Sequence, residues 1–243
     1  MRLPSFSSLK QALLSIVEIL LAMSGVVVRR MTLLRGASLL ASVGLYLWCL
    51  QHNSFTLAVW YFAIATLFHY IVLFGMFTET SFSEPWSKIL IARFGEERGF
   101  RIAEAWMTLV FFHNGASTSL MVSASAAQGL DFLPAWACSL VGIGLSCVGL
   151  PMKIWATMIV GIDTYYYRDL FLRRPLGEFQ ARGPYKIFAN PMYGVGHLHG
   201  YGTALVAASL PALAIVAINQ ACVWLFYLTV ERPHVRKAFA KTR

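Results

Sequence analysis

Uncharged stretches long enough to cross a bilayer alternate along this chain with short, densely charged segments. Residues 36–78 contain no Asp, Glu, Lys or Arg. As helix they would extend roughly 65 Å, enough for two passages through a ~30 Å hydrocarbon core. The polar cluster Gln51-His52-Asn53-Ser54 predicts the turn between them. Residues 105–152, interrupted only by Asp131, predict a second pair joined around Gly129 to Pro134, and residues 187–230 a third pair turning near Ser209-Leu210-Pro211. Upstream, residues 11–28 form an apolar run containing Glu18, flanked by Lys10 and Arg29. That run predicts a retained first helix, spanning or interfacial, because no small-residue cleavage site precedes Arg29 and Arg30. The expected fold is all-α: a polytopic transmembrane protein of six or seven helices, arranged as three hairpins after a first N-terminal helix. Residues 1–130 then supply N-terminal membrane helices, and residues 131–243 a C-terminal core.

The three hairpin turns hold none of the 20 Lys and Arg residues. The segments linking hairpins, 79–104, 153–186 and the residues after 230, hold most of them, which predicts that the linkers face the cytosol. Segment 79–104 interleaves charges with Ile89, Leu90, Ile91, Phe94 and Phe100, a pattern expected of an interfacial amphipathic helix.

Composition supports the membrane reading, with 58% hydrophobic and 13% charged residues. Disordered, collagen-like and disulfide-scaffold chains are excluded. Cys49, Cys138, Cys147 and Cys222 lie in apolar runs without metal-ligand spacing, so no metal site is expected. A net charge of +9 invites a nucleic-acid reading, but no soluble basic domain carries such a site. The expected partner is the bilayer, and the oligomeric state is left open.

The chemically informative run is Arg182-Gly183-Pro184-Tyr185-Lys186-Ile187-Phe188-Ala189-Asn190-Pro191-Met192-Tyr193-Gly194-Val195-Gly196. Asn190 followed by Pro191 predicts a helix start, whose free N–H groups would hold a ligand carboxylate or phosphate. Gly194, Gly196, Gly200 and Gly202 would leave a groove or permit close helix packing. Tyr193, His197 and Tyr201 recur at helical spacing. In an antiparallel hairpin, Glu231-Arg232 at the end of the last helix would return beside Asn190 to Tyr193.

Gly183-Pro184-Tyr185, Asn190-Pro191-Met192-Tyr193 and, one hairpin later, Glu231-Arg232-Pro233 together resemble the C-terminal signature of membrane-embedded phospholipid and isoprenylcysteine methyltransferases. Asn190 before Pro191 resembles the phosphatidylethanolamine N-methyltransferases, where the prenylcysteine enzymes typically carry His. The resemblance implies S-adenosyl-L-methionine as cofactor, bound by a Gly-x-Gly pair, matched here by Gly142 and Gly144, and by a Glu-Glu pair. Glu231 matches one member of that pair and Arg232 departs from the other.

What the resemblance implies makes chemical sense of the residues. Asn190, Pro191, Met192, Gly194 and Gly196 would accommodate the cofactor, with Tyr185 and Tyr193 offering aromatic faces to its sulfonium. A lipid amine arrives protonated, with a pKa near ~10, so a base is needed; Glu231, Asp163 and His197 are the candidates. Tyr165 and Tyr166 beside Asp163 read either as a partial cage for the amine or as an interfacial aromatic belt. Arg168, Arg173, Arg174, Arg182 and Lys186 read either as phosphate ligands or as positive-inside charges. The expected activity is methyl transfer to phosphatidylethanolamine or its partly methylated forms, at the cytosolic face of a bacterial inner membrane or the endoplasmic reticulum. Alternatives are an isoprenylcysteine-type carboxyl methyltransferase, an NADPH-dependent membrane sterol reductase, or a transporter. The transporter reading is weak because the polar groups cluster at one membrane face.

Overall fold

The computed structural model describes residues 6–176 and 182–239, which fold as helices α1 (Phe6–Met23), α2 (Leu33–Gln51), α3 (Phe55–Phe77), α4 (Trp86–Phe94), α5 (Glu96–Ala124), α6 (Ala135–Tyr165), α7 (Arg168–Leu172), α8 (Leu198–Val206), α9 (Leu210–Phe226) and α10 (Arg232–Phe239). Hydroxyl caps start three of them. Thr32 accepts from the Arg35 N–H, Ser54 from Leu57 and Ser209 from Ala212, each filling a donor that the first helical turn leaves free. All three expected turns fall where the polar clusters placed them. By length and composition, Leu33–Gln51, Phe55–Phe77, Ala135–Leu172 and Leu210–Lys237 are long and apolar enough to cross a membrane.

Two hairpin turns meet at one face. Ser125 and Ser209 share a 2.6 Å hydroxyl contact, Leu210 N–H donates to the Gln128 carbonyl at 2.9 Å, and Ala127 N–H donates to that of Ala207 at 2.8 Å. At the other face the charged linkers interlock, Arg168 binding Glu97 at 2.6 Å and Arg174 binding Glu96 at 2.5 Å, so these linkers gather at the end opposite the turns.

Helices α6 and α8 pack backbone to backbone. A Cβ at Gly142 would lie 2.6 Å from the Gly202 carbonyl oxygen, and one at Gly149 only 2.4 Å from the His199 nitrogen. Small residues allow this approach, as is usual between membrane helices. At the charged end, Phe77, Phe100, Tyr166, Tyr167, Phe171 and Phe226 form an aromatic core that also takes in Ala22 of α1.

Four sequence expectations need correction. Segment 79–104 is not one interfacial helix: Gly95, at φ 75, ends α4, and the chain restarts as α5, whose first turns carry Glu96 and Glu97. The third hairpin has a short first arm, because no helix begins at Pro191. Residues 191–194 form turns, a 3-10 turn follows at Val195–His197, and regular helix starts only at Leu198. The glycines are the reason: Gly194 has ψ −101, and Gly196 N–H donates to the Pro191 carbonyl at 2.7 Å, a bond one residue longer than helical. The anion-binding role drawn from a helix dipole at Pro191 therefore loses its basis. Finally, Lys153 does not begin a cytosolic linker but sits inside α6, about 18 Å along the axis from Tyr165.

Candidate active site

Three irregular backbone features aim side chains into one cavity. Gly161 (φ 81, ψ 163) kinks α6, and Tyr167 adopts the left-handed conformation at φ 57. This separates the three consecutive tyrosines: Tyr165 and Tyr167 border the cavity, while Tyr166 turns into the core. Gly183, at φ 53, starts the 3-10 turn Gly183–Lys186 that presents Tyr185. At the end of α9 the helix widens into a π-helical turn, Tyr227–Glu231, a feature often found at functional sites.

The cavity has a volume of about 1460 Å³. An ordinary small-molecule site occupies ~300–1,000 Å³, so this cavity is larger than one such site requires. Its lining includes a hydrogen-bonded relay. Tyr193 O–H donates to Glu231 Oε2 at 2.9 Å, and the Tyr167 hydroxyl lies 2.9 Å from that of Tyr193, so Tyr167 donates in turn. Asn190 fixes the Tyr193 backbone by accepting its N–H at 3.1 Å, and Gln220 does the same from α9 by donating to its carbonyl at 3.1 Å. Trp224 and Tyr227 complete an aromatic rim, with ring centroids 6.5 and 5.9 Å from Tyr193. Glu231 is half-buried and, among the described residues, forms no ion pair. Glu231 thus faces the cavity among tyrosines, with its hydrogen bonds supplied by phenols.

Tyr185 adds a sign of a ligand. Its phenol oxygen is buried at the cavity with no hydrogen-bond partner among the described residues, and burial, then the nearby Glu231 carboxylate, pushes its pKa well above the usual value. An orphaned buried hydroxyl costs roughly 1–3 kcal/mol unless something pairs with it.

The sequence candidates separate into those that converge and those that do not. Asn190, Met192, Tyr193, Tyr185, His197, Tyr165 and Glu231 all border the cavity, and Arg182 and Arg232 stand exposed at its mouth. Tyr166 does not: it is fully buried, its hydroxyl donates to the Ala22 carbonyl, and its ring stacks on Phe111 at 5.5 Å. Asp163 and Arg168 border the cavity but are already engaged. Asp163 accepts from Arg30 and, at 2.6 Å, from Arg168, so neither carboxylate oxygen is free to act as a base. Arg168 also binds Glu97 at 2.6 Å and lies over the Phe100 ring at 5.3 Å. Gly142 and Gly144 lie roughly 30 Å along α6 from Asp163, Gly142 against α8 and Gly144 with open space around it. Pro191, Gly194 and Gly196 shape the loop without bordering the cavity.

Sequence reading passed over Tyr167 as a site residue and missed Arg30 altogether. Arg30 joins Asp163 to the fully buried Glu104, which Arg35 also binds at 3.0 Å. Burial opposes the Arg30 charge, but bonds to Asp163 and Glu104 outweigh it and hold its pKa above the ordinary value. Asn114, Asn219 and Lys153 also border the cavity, and their presence in apolar runs was the available signal.

Fold and site together define an integral membrane protein with a cavity lined by tyrosines and Glu231 at its charged face. Residues 137–242 match the family model described as phospholipid methyltransferase, in agreement with the resemblance carried by Asn190 to Tyr193 and Glu231. Similar curated proteins include the phosphatidylethanolamine N-methyltransferase of Lodderomyces elongisporus, 31% identical over 109 residues covering 44% of this chain and 12% of that protein. Those of Sordaria macrospora (31% over 119 residues, 49% and 12%) and Emericella nidulans (34% over 98 residues, 40% and 10%) are matched likewise. The matched region thus spans about a tenth of the length of these relatives. No solved structure matches the chain.

Proposed function

We propose that this protein is an S-adenosyl-L-methionine-dependent methyltransferase acting on the amine of phosphatidylethanolamine or its partly methylated forms at the cytosolic face of its membrane. The observation that carries the reading is Glu231, a carboxylate without an ion-pair partner among the described residues, held by Tyr193 and Tyr167 inside a cavity larger than one small-molecule site requires. The names of the matched relatives favour a phospholipid amine over a prenylcysteine carboxylate or a sterol.

The residues present suit the cofactor: aromatic faces at Tyr185, Tyr193 and Tyr227 for a sulfonium, the orphaned Tyr185 hydroxyl for a polar group, and Arg182 and Arg232 at the mouth for a carboxylate. When bound, S-adenosyl-L-methionine supplies an electrophilic methyl group. The protein's own contribution is to hold the acceptor ammonium against Glu231, to receive its proton on the Oε atoms, and to exclude water with the aromatic rim. Tyr167 and Tyr193, donating in series, keep that carboxylate oriented. His197 stands at the same cavity, half-buried beside Tyr201 at 6.1 Å, and is the remaining candidate base.

Calorimetry in nanodiscs tests the cofactor assignment. S-adenosyl-L-methionine and its demethylated product should both bind, and NADPH should not. Binding of NADPH with neither of the others would transfer the case to a reductase.

A further inference from the structure

A second, smaller hollow opens in the membrane-spanning part of the molecule. Its volume is about 590 Å³, and its walls are α3 and α9, with Met121 of α5 behind them. Apart from Thr66 and Tyr70 the lining is apolar. Phe62 and Met121 are buried and form the floor, whereas Leu67, Ile218 and Leu225 stand 64, 49 and 55% exposed at the rim. Both walls belong to helices long and apolar enough to cross a membrane, so the groove opens sideways toward lipid and not toward water.

The groove adjoins the site. Tyr70 borders both hollows. On the same two helices, His69, Asn219 and Val223 border the large cavity, while Thr66, Ile218 and Cys222 border the groove. Helices α3 and α9 therefore form a partition between cavity and bilayer, and Tyr70 is the side chain common to its two sides. The spacing along α9 fits a phospholipid. The stretch that lines the groove, Ile215 to Leu225, rises roughly 15 Å, the depth of one leaflet of a ~30 Å hydrocarbon core. Glu231 lies roughly 9 Å further along the same continuous span, and the headgroup layer of a leaflet is roughly 5–8 Å thick. A lipid with one chain in the groove thus carries its headgroup to the depth of Glu231. Burial in such a groove gains little, because the surrounding tails are as apolar as its walls. What the groove supplies is position, and alignment of the acceptor is the main demand of a direct group transfer.

We propose that the α3–α9 groove seats one acyl chain of the acceptor phospholipid, with Tyr70 standing between the chain and the cavity that takes the headgroup. The assignment rests on the reading above that the acceptor is an aminophospholipid, and it adds where the tail lies. Helix α3 is outside residues 137–242, which match the family model, so the N-terminal half of the chain supplies one wall of the lipid site.

The test reads the position of the chain directly. Purified protein in phosphatidylglycerol nanodiscs receives a trace of phosphatidylethanolamine bearing a mid-chain diazirine, is illuminated, and the labelled residues are mapped by mass spectrometry. A phosphatidylglycerol with the same diazirine samples the lipid-facing surface at large. Label from the amine lipid should be enriched at Thr66, Ile218 and Cys222 over the control by roughly 10-fold, the ratio that one headgroup contact of about 1.4 kcal/mol gives. Ala63→Trp, which fills the groove from its exposed rim, should abolish the enrichment and lower methyl transfer to phosphatidylethanolamine by a similar factor, with S-adenosylhomocysteine affinity unchanged. Ile64→Trp, 64% exposed on the same helix but outside the groove, should do neither. Ile218→Trp fills the groove from the other wall if Ala63→Trp does not fold. Equal labelling of the groove by the two probes, or enrichment and turnover unchanged in the groove-filling variants, would overturn the proposal while leaving the acceptor reading intact. Groove labelling specific to the amine lipid, from a protein that methylates no lipid, would support the chain site and refute the acceptor reading.

Discussion

Replacing Glu231 with Gln keeps the side chain's size and its acceptor oxygen while removing the charge. The Tyr193 hydroxyl, 2.9 Å away, still finds an oxygen, and Glu231 has no ion-pair partner among the described residues to be left behind. Stability should therefore change by less than about 1 kcal/mol. The effect on function should be far larger. An ammonium 4 Å from a carboxylate near a protein surface gains about 4 kcal/mol at an effective dielectric of 20, and a positioned proton acceptor contributes roughly 10²–10⁴-fold in rate. Methyl transfer to phosphatidylethanolamine should fall at least roughly 10²-fold, with cofactor affinity retained if the carboxylate serves the amine, and with cofactor affinity weakened if it holds the sulfonium. Glu84→Gln is the matched control, since Glu84 is 66% exposed and only 3.8 Å from Lys88 on the same face. The assay is labelled methyl incorporation at varied lipid and varied cofactor, with thermal unfolding in nanodiscs alongside. Equal, near-wild-type turnover for both variants would reduce Glu231 to a helix terminus and move the site to His197.

Tyr167→Phe and Tyr166→Phe separate the neighbouring tyrosines: the first should lower turnover roughly 10-fold by breaking the relay to Tyr193, and the second should cost about 1 kcal/mol of stability, through the lost bond to Ala22, with turnover kept. Unfolding and activity measured on both variants check this. Replacing Arg30 and Arg35 together by Gln leaves Glu104 buried without a cation, an expected loss of roughly 3–5 kcal/mol, while Glu104→Gln should cost less; denaturant titration in mixed micelles distinguishes them. Gly142→Ala should destabilise, because the new Cβ would meet the Gly202 carbonyl at 2.6 Å, whereas Gly144→Ala, with nothing within 4 Å, should leave both stability and cofactor affinity unchanged. Loss of cofactor binding in Gly144→Ala would restore the Gly-x-Gly pair to the site.

What the sequence disclosed and what it hid follow from the range over which each signal acts. Ser54 and Ser209 mark their turns because a cap acts on the backbone three residues away. The approach of Glu231 to Tyr193 was readable because an antiparallel hairpin returns to its starting face. Asn190-Pro191 misled because Asn does cap the Tyr193 N–H, but Gly194 and Gly196 then divert the chain from the helix that such a cap normally starts. Lys153 was read as the end of a span because mapping charges against bilayer length treats every cation as a boundary. Arg30 with Asp163, 133 residues apart, lay beyond any local pattern. The π-helical turn that aims Glu231 inward also left no mark in the hydrophobic periodicity.

The measurement that tests the central claim most directly is incubation of the purified protein in nanodiscs with methyl-labelled S-adenosyl-L-methionine and a mixed lipid extract, followed by separation of the labelled products. Label should appear on the amine nitrogen of phosphatidylethanolamine-derived lipids and be lost in Glu231→Gln. Robust label on an added prenylated cysteine analogue with none on aminophospholipid, or no labelled lipid from a preparation that binds the cofactor, would contradict it.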